Sequence, residues 1–201
     1  MSRKLVYVSQ RVDIYPDIGE RRDALDVKWY KLLGTEGFRV LPVPNNENQI
    51  ELWLKDSPPS GVLLSGGNTP SAYGGTAPER CKTDNVLLNF AIDNKIPALG
   101  VCGGMQSIAL YFGGSLKKVG GHIRTRHDLD GLVLSNVNSY HEYAVDIMPD
   151  GFFVTANADD GVIEAIRHKS LPIAGIMWHP EREEVFKRAD IKLITDLLHG
   201  G

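Results

Sequence analysis

The densest chemical signal in the sequence is Gly100-Val101-Cys102-Gly103-Gly104-Met105-Gln106, set between an apolar run and a helical pattern. A thiol flanked by glycines at a strand-to-helix junction reads as a nucleophile elbow. That turn is so tight that the positions beside the nucleophile must be nearly free of side chain. The geometry predicts the sulfur above the C-terminal sheet edge, where open α/β folds bind ligands. It also predicts a helix N-terminus next to the sulfur, whose dipole favours the thiolate. A thiolate nucleophile needs a base, and the base needs an orienting group. Trp178-His179-Pro180-Glu181 offers both: His179 as the base, and Glu181 as the carboxylate aimed back at it by the restricted backbone of Pro180. The tetrahedral intermediate of acyl transfer needs N–H donors. Gly103, next after the nucleophile, is one candidate, and Gly66 or Gly67, closing a neighbouring apolar strand, is the other. The second cysteine, Cys81, lies in a polar stretch beside Lys82 with no motif around it.

These groups meet only if the intervening elements bring them together. Leu5–Ser9, Phe38–Val43, Gly61–Ser65 and Pro97–Cys102 read as strands. They alternate with helices expected at Arg21–Leu33, Ile50–Lys55, Asp84–Asn94 and Met105–Phe112. Such alternation argues for a parallel sheet covered on both faces. The segment Gln10–Glu20 is long for a connection after a first strand. Beyond the elbow helix the pattern changes. Leu132–Leu134, Ala144–Ile147, Phe152–Ala156, Val162–Ile166 and Ile173–Trp178 are strand-like, with turn signals at Pro149-Asp150-Gly151 and Asp159-Asp160-Gly161. A largely antiparallel extension is expected there, closed by a helix over Glu183–Leu198. No internal repeat or interdomain linker is visible, so one domain over residues 1–201 is expected.

Composition bounds the function class. The 22 Lys+Arg against 25 Asp+Glu leave a formal net charge of −3, with no basic block, which excludes a non-specific nucleic-acid binder. With 2 cysteines a disulfide scaffold is out. A hydrophobic share of 42% and a charged share of 23% are globular usage, not disorder. No apolar run approaches the roughly 18–20 residues of a membrane span. Leu5-Val6-Tyr7-Val8 is too short for a signal-peptide core, so no membrane partner and a cytoplasmic location are expected. Few cysteines fit a reducing compartment, where a nucleophilic thiol stays free. The 6 histidines show no paired ligand spacing, so no metal site is expected, and His122 and His127 read as loop or surface residues.

Taken with Leu64-Ser65-Gly66-Gly67, the elbow and the Trp178–Glu181 motif resemble the class I glutamine amidotransferases. The likeness is to the branch of γ-glutamyl hydrolases that includes γ-glutamyl-γ-aminobutyrate hydrolases. Val137-Asn138-Ser139-Tyr140-His141 and Gly161-Val162-Ile163-Glu164-Ala165 look like motifs of that branch, in the same order, so the resemblance runs over nearly the whole chain. It implies a flavodoxin-like three-layer α/β/α fold with a mostly parallel sheet and a C-terminal antiparallel extension. It implies a Cys102–His179–Glu181 triad, an oxyanion hole at Gly67 and Gly103, and a γ-glutamyl thioester intermediate. Gly66, Gln106, Ser139, Tyr140 and His141 would then hold the glutamyl moiety, and no cofactor is implied. The sequence departs from the branch in places. Gly103 stands where the hydrolases often have arginine. His141-Glu142-Tyr143 stands where two histidines and a glutamine are common. Asp84, with Arg80 upstream, replaces an expected glutamate.

Two activities fit this resemblance. One is a cysteine-dependent amidohydrolase acting on a small γ-glutamyl conjugate and releasing glutamate and an amine. The long Gln10–Glu20 segment, at the ligand-binding sheet edge, favours it. Arg11, Arg21 and Arg22 there, with Arg124 and Arg126 beyond the elbow helix, are expected to bring some arginines to the cleft. Arginine recognises carboxylate and phosphate through paired hydrogen bonds, so the amine part would be anionic, with Arg11 its first candidate ligand. The alternative is a glutaminase subunit that delivers ammonia to a separate synthase. Gly103, as in ammonia-delivering amidotransferases, favours that reading.

Overall fold

The structure, a computed structural model, describes residues 3–132 and 135–200. Strand β1 (Lys4–Ser9) runs into a hairpin, β2 (Arg11–Tyr15) and β3 (Glu20–Ala24), which forms a two-stranded sheet of its own. Then α1 (Lys28–Thr35), β4 (Phe38–Val43), α2 (Glu47–Asp56), β5 (Gly61–Leu64), α3 (Pro78–Asn94), β6 (Ala98–Val101) and α4 (Gly103–Tyr111) follow one another. The second half is mostly strand: β7 (Leu116–Lys118), β8 (Ile123–Gly131), β9 (Asn136–Tyr140), β10 (Tyr143–Val145), β11 (Phe152–Ala158), β12 (Ile163–His168) and β13 (Ile173–Ile176). Helix α5 (Arg188–Leu198) ends the described chain.

A nine-stranded sheet runs through the molecule in the order β4-β1-β5-β6-β13-β12-β11-β8-β9. The pairs β4–β1, β1–β5, β5–β6 and β6–β13 are parallel. From β13 outward, every pair is antiparallel. On one face, Leu87 and Leu88 of α3 and Met105 and Ile108 of α4 pack with Ile50 and Leu54 of α2. On the other, Trp29, Leu32 and Leu33 of α1 pack with Ile194 and Leu197 of α5. The expected three-layer α/β/α fold with an antiparallel extension is present. Among the described residues no helix is long and apolar enough to cross a membrane.

Four local readings are corrected. The segment after β1 is a hairpin rather than a loop, and it takes Arg21–Ala24 from the expected helix. Helix α1 begins only at Lys28, whose N–H donates to the Asp26 carboxylate (2.9 Å). Helix α3 begins at Pro78, well before Asp84, because its first turns bury Arg80, Thr83 and Asp84, which break the apolar spacing. Strand β13 is not simply part of the antiparallel extension: it pairs parallel with β6 and antiparallel with β12, and so joins the two halves. Strands β8 and β9 read as loop in the sequence, because the inward positions of β8 include His127 and its outward ones are charged. Val133 and Leu134, in the strand expected at Leu132–Leu134, lie outside the described residues.

Candidate active site

The C-terminal ends of three adjacent parallel strands carry the predicted chemistry. In register, Leu64 of β5 pairs with Gly100 of β6, and Ile176 of β13 pairs with Val101. The chain leaves β5 as Ser65-Gly66-Gly67, leaves β6 as Cys102, and leaves β13 toward His179. The Cys102 N–H donates to the Ile176 carbonyl (2.7 Å), which fixes the elbow against the strand that delivers His179.

Cys102 has φ 51° and ψ −106°, a conformation that L residues rarely hold. Close backbone approach explains two of the neighbouring glycines. A Cβ on Gly104 would lie 1.9 Å from the Leu64 carbonyl oxygen, and one on Gly100 would lie 2.5 Å from the Gly104 carbonyl oxygen. Gly103 differs: its nearest neighbour would be the Gly67 nitrogen at 3.1 Å. That spacing puts the Gly67 N–H beside the first N–H of α4, a group with no acceptor inside its own helix. The two candidate oxyanion donors are therefore adjacent.

His179 and Glu181 are both buried, and His179 Nδ1 is 2.7 Å from Glu181 Oε1. Burial alone would lower the His179 pKa. The charge of and hydrogen bond to Cys102, followed by those of Glu181, outweigh burial and raise it to about 9. His179 thus responds to both Cys102 and Glu181. Gly66 packs against the imidazole so closely that a Cβ there would meet His179 Cε1 at 2.5 Å.

Two groups of supporting residues escaped the sequence reading. Asn138 clamps the His179 backbone from both sides: it accepts from the His179 N–H (2.9 Å) and donates to its carbonyl (2.8 Å). The other group lies beneath the Gly66–Gly67 loop. Arg80 Nε pairs with Asp84 (3.0 Å), and Arg80 Nη2 donates to the Ser65 carbonyl (2.6 Å). Asp84 also accepts from Ser107 of α4 (2.7 Å), so this buried pair joins the loop to the elbow helix. The Val137–His141 motif was the available signal for Asn138, and the i, i+4 spacing of Arg80 and Asp84 was the signal for the pair.

A cleft of about 240 Å³ opens on Cys102 and is lined by Gly67, Thr69, Gly103, Gln106, Ile123 and the segment Tyr140–Tyr143. Gln106 is held by its own amide donating to the Tyr143 carbonyl (2.9 Å). Of the predicted glutamyl-binding residues, Gln106, Tyr140 and His141 reach the cleft. Ser139 does not line it; its hydroxyl is buried and donates to the His122 carbonyl (2.8 Å). Gly66 and Arg11 line a neighbouring cavity of about 120 Å³ with Ser65, Glu181 and Arg182.

The expectation that arginines converge on the cleft is corrected. None lines it among the described residues. Arg11 pairs with Asp13 (2.9 Å), Arg21 Nε donates to Glu79 (2.7 Å), and Arg126 pairs with Glu183 (2.9 Å). The hairpin charges are taken up in fixing the hairpin. Two cations instead stand over aromatic rings of the cleft: Arg182 lies 4.5 Å from the Tyr140 ring centroid, and Lys118 lies 5.8 Å from that of Tyr143. His122 and His127 are also corrected, since they are 0% and 9% exposed rather than on the surface.

A family model described as glutamine amidotransferase class-I matches residues 29–196. The chain is 31% identical over 179 residues to a γ-glutamyl-CDP-amidate hydrolase of Campylobacter jejuni, covering 88% of this chain and 89% of that protein. It is 35% identical over 153 residues to one subunit of a glutamine-hydrolysing GMP synthase of Methanosarcina mazei, covering 71% of this chain and 73% of that one. A glutamine amidotransferase crystal structure from Thermotoga maritima superposes with a TM-score of 0.71 at 16% identity, covering 100% of this chain and 86% of that one, a likeness of fold. The chain belongs to the class I glutamine amidotransferase family.

Proposed function

We propose that this protein hydrolyses the γ-glutamyl amide bond of a small conjugate with an anionic amine part, through a thioester on Cys102. The observation that carries this reading is the cleft that opens on Cys102 beside Gly67 and Gly103, with the buried His179–Glu181 pair packed against Gly66 of the same loop. The Cys102 thiolate attacks the γ-carbonyl carbon, and the carbonyl π electrons move to oxygen, where the two N–H groups receive the charge. Collapse of the adduct breaks the C–N bond, and protonated His179 gives its proton to the departing amine. Neutral His179 then takes a proton from water as the water oxygen attacks the thioester. Glutamate leaves, and the thiolate and the imidazolium are restored. Glu181 holds the ring orientation throughout.

The size of the cleft supports a small acyl group. At about 240 Å³ it falls below the roughly 300 Å³ at which pockets for drug-sized ligands begin. A glutamyl moiety fills it, and the amine part extends past Tyr140 and Tyr143, where Arg182 and Lys118 stand. Those two cations favour a carboxylate or phosphate on the amine. The relative named for a CDP-amidate substrate points the same way. The test is a hydrolysis screen of glutamine against γ-glutamyl conjugates with neutral, carboxylate-bearing and phosphate-bearing amines. An anionic conjugate is expected to exceed glutamine in kcat/KM by at least tenfold, and equal turnover of glutamine and every conjugate overturns the reading.

A second reading, a glutaminase subunit supplying ammonia to a synthase, is favoured by Gly103 and by the likeness to part of a GMP synthase. It predicts weak glutaminase activity in the isolated chain, raised by a synthase partner.

A further inference from the structure

Beyond the His141 side of the cleft lies a buried cluster that the proposed hydrolysis does not use. It contains His122, His127, His141 and Glu164, none more than 9% exposed, with Asp160 at its margin. His122 comes from the loop before β8, His127 from β8 and Glu164 from β12. The two histidines are five positions apart (127 − 122 = 5), which regular strand alternation would send to opposite faces. A register shift between Ile123 and Thr125, with Arg124 at φ 54°, turns both rings to one side.

Several polar atoms of this cluster are buried without a hydrogen-bond partner. His122 Nε2 is 2.9 Å from the Asp160 carboxylate. The other ring nitrogen, Nδ1, lies 3.3 Å from Glu164 Oε1 and is buried without a hydrogen-bond partner. His127 Nε2 and Glu164 Oε2 are also buried without a partner. Buried polar atoms left unpaired are costly. One cation among them satisfies all three atoms.

We propose that His122, His127 and Glu164 bind a divalent transition-metal ion of the zinc type. One ligand atom from each residue lies within 4.8 Å of the others. Zinc bonds near 2.0–2.1 Å bring ligands to roughly 3.4 Å apart, so about an ångström of side-chain rotation closes the site. Two imidazoles and one carboxylate suit zinc and its neighbours, whereas magnesium and calcium prefer all-oxygen sets. Asp160 supplies the outer carboxylate that orients a metal-bound histidine. Glu164 Oε1 also meets His141 Nε2 (3.1 Å), and the His122 carbonyl accepts from the His141 N–H (3.0 Å). The metal would therefore fasten the antiparallel half of the sheet to the wall of the cleft, as a structural ion.

The test is to strip the protein with a chelator, titrate with zinc chloride alone, and count metal after gel filtration. Wild type and Cys102→Ala should each retain about one equivalent of zinc, with a higher Tm, and magnesium should not compete. His127→Gln should lose the equivalent, and Asp160→Asn should bind about 10- to 100-fold more weakly, as for other outer-shell changes. Retention by folded His127→Gln, or no retention by wild type, overturns the proposal. Loss of zinc in Cys102→Ala moves the metal to the thiol and overturns it too. If His127→Gln fails to fold, cobalt(II)-loaded Cys102→Ala gives the answer. The d–d bands of a four-coordinate nitrogen and oxygen site support the assignment, and their absence refutes it.

Discussion

At Cys102 the backbone is held at φ 51°, so the side chain that defines the site is also the one its conformation tolerates least. Such strain costs about 1–3 kcal/mol. Glycine relieves it and alanine keeps it. Cys102→Gly is therefore expected to be more stable than Cys102→Ala, by about 1 kcal/mol, the reverse of the usual order of these two residues. Paired urea melts check this. Both variants should lack turnover, whereas Cys81→Ser should retain nearly all of it in the same assay. The His179 pKa of about 9 yields a second expectation. A histidine with a raised folded-state pKa stabilises fully below its unfolded value near 6.5. That contribution drains as pH rises toward 9. Wild-type stability should fall between pH 6.5 and 9 more steeply than that of Glu181→Gln, which keeps the same thiol but whose amide does not hold the charge on the ring. In a pH–rate profile, Glu181→Gln should move the alkaline limb to lower pH. Cys102, His179 and Glu181 were legible because each lies in a short local motif. Asn138 was not picked out, because it acts on the backbone of His179 and leaves no pattern of its own at that distance.

At the scale of elements, the sequence is readable where an apolar stripe exists and opaque where buried polar groups replace it. Helix α1 shows its stripe in Trp29, Leu32 and Leu33. The first turns of α3 hide theirs, because Arg80 and Asp84 face inward as an ion pair, 5% and 1% exposed. Breaking a buried pair on one side leaves an uncompensated charge. Arg80→Leu should cost about 3–5 kcal/mol, and Arg80→Leu with Asp84→Leu should recover a large part of that loss. Thermal melts of the two variants check it. Strand β8 was missed for a related reason: it turns His127 inward, and its register shift defeats a reading based on strict alternation.

At the scale of the molecule, the sheet brings the cleft together through a strand order that does not follow the sequence. Strand β13, last along the chain, inserts beside β6 and separates the parallel from the antiparallel half. Sequence patterns predict strands one at a time, while their order depends on contacts between distant segments, so the return of β13 was not legible. Ending the chain after Lys169 should remove β13 and α5, unpair β6 and β12, and leave His179 and Glu181 absent. The truncated chain is expected to lose cooperative unfolding in calorimetry rather than merely its activity.

The hairpin of β2 and β3 is a separate sheet, held to the rest by a few polar contacts. Val12 and Asn68 exchange a pair of hydrogen bonds of 2.8 Å, and Asp23 accepts from Asn45. Arg21 reaches Glu79 of α3, and among the described residues no strand of the main sheet pairs with the hairpin. The hairpin and the reacting groups thus rest on different foundations, and the cleft at Cys102 has no hairpin residue in its lining. Exchanging residues 10–25 for the corresponding stretch of a relative should therefore leave turnover and preference among amines nearly unchanged, because the reacting groups and the Tyr140–Tyr143 wall stay in place, which makes the hairpin a graft point for new surface.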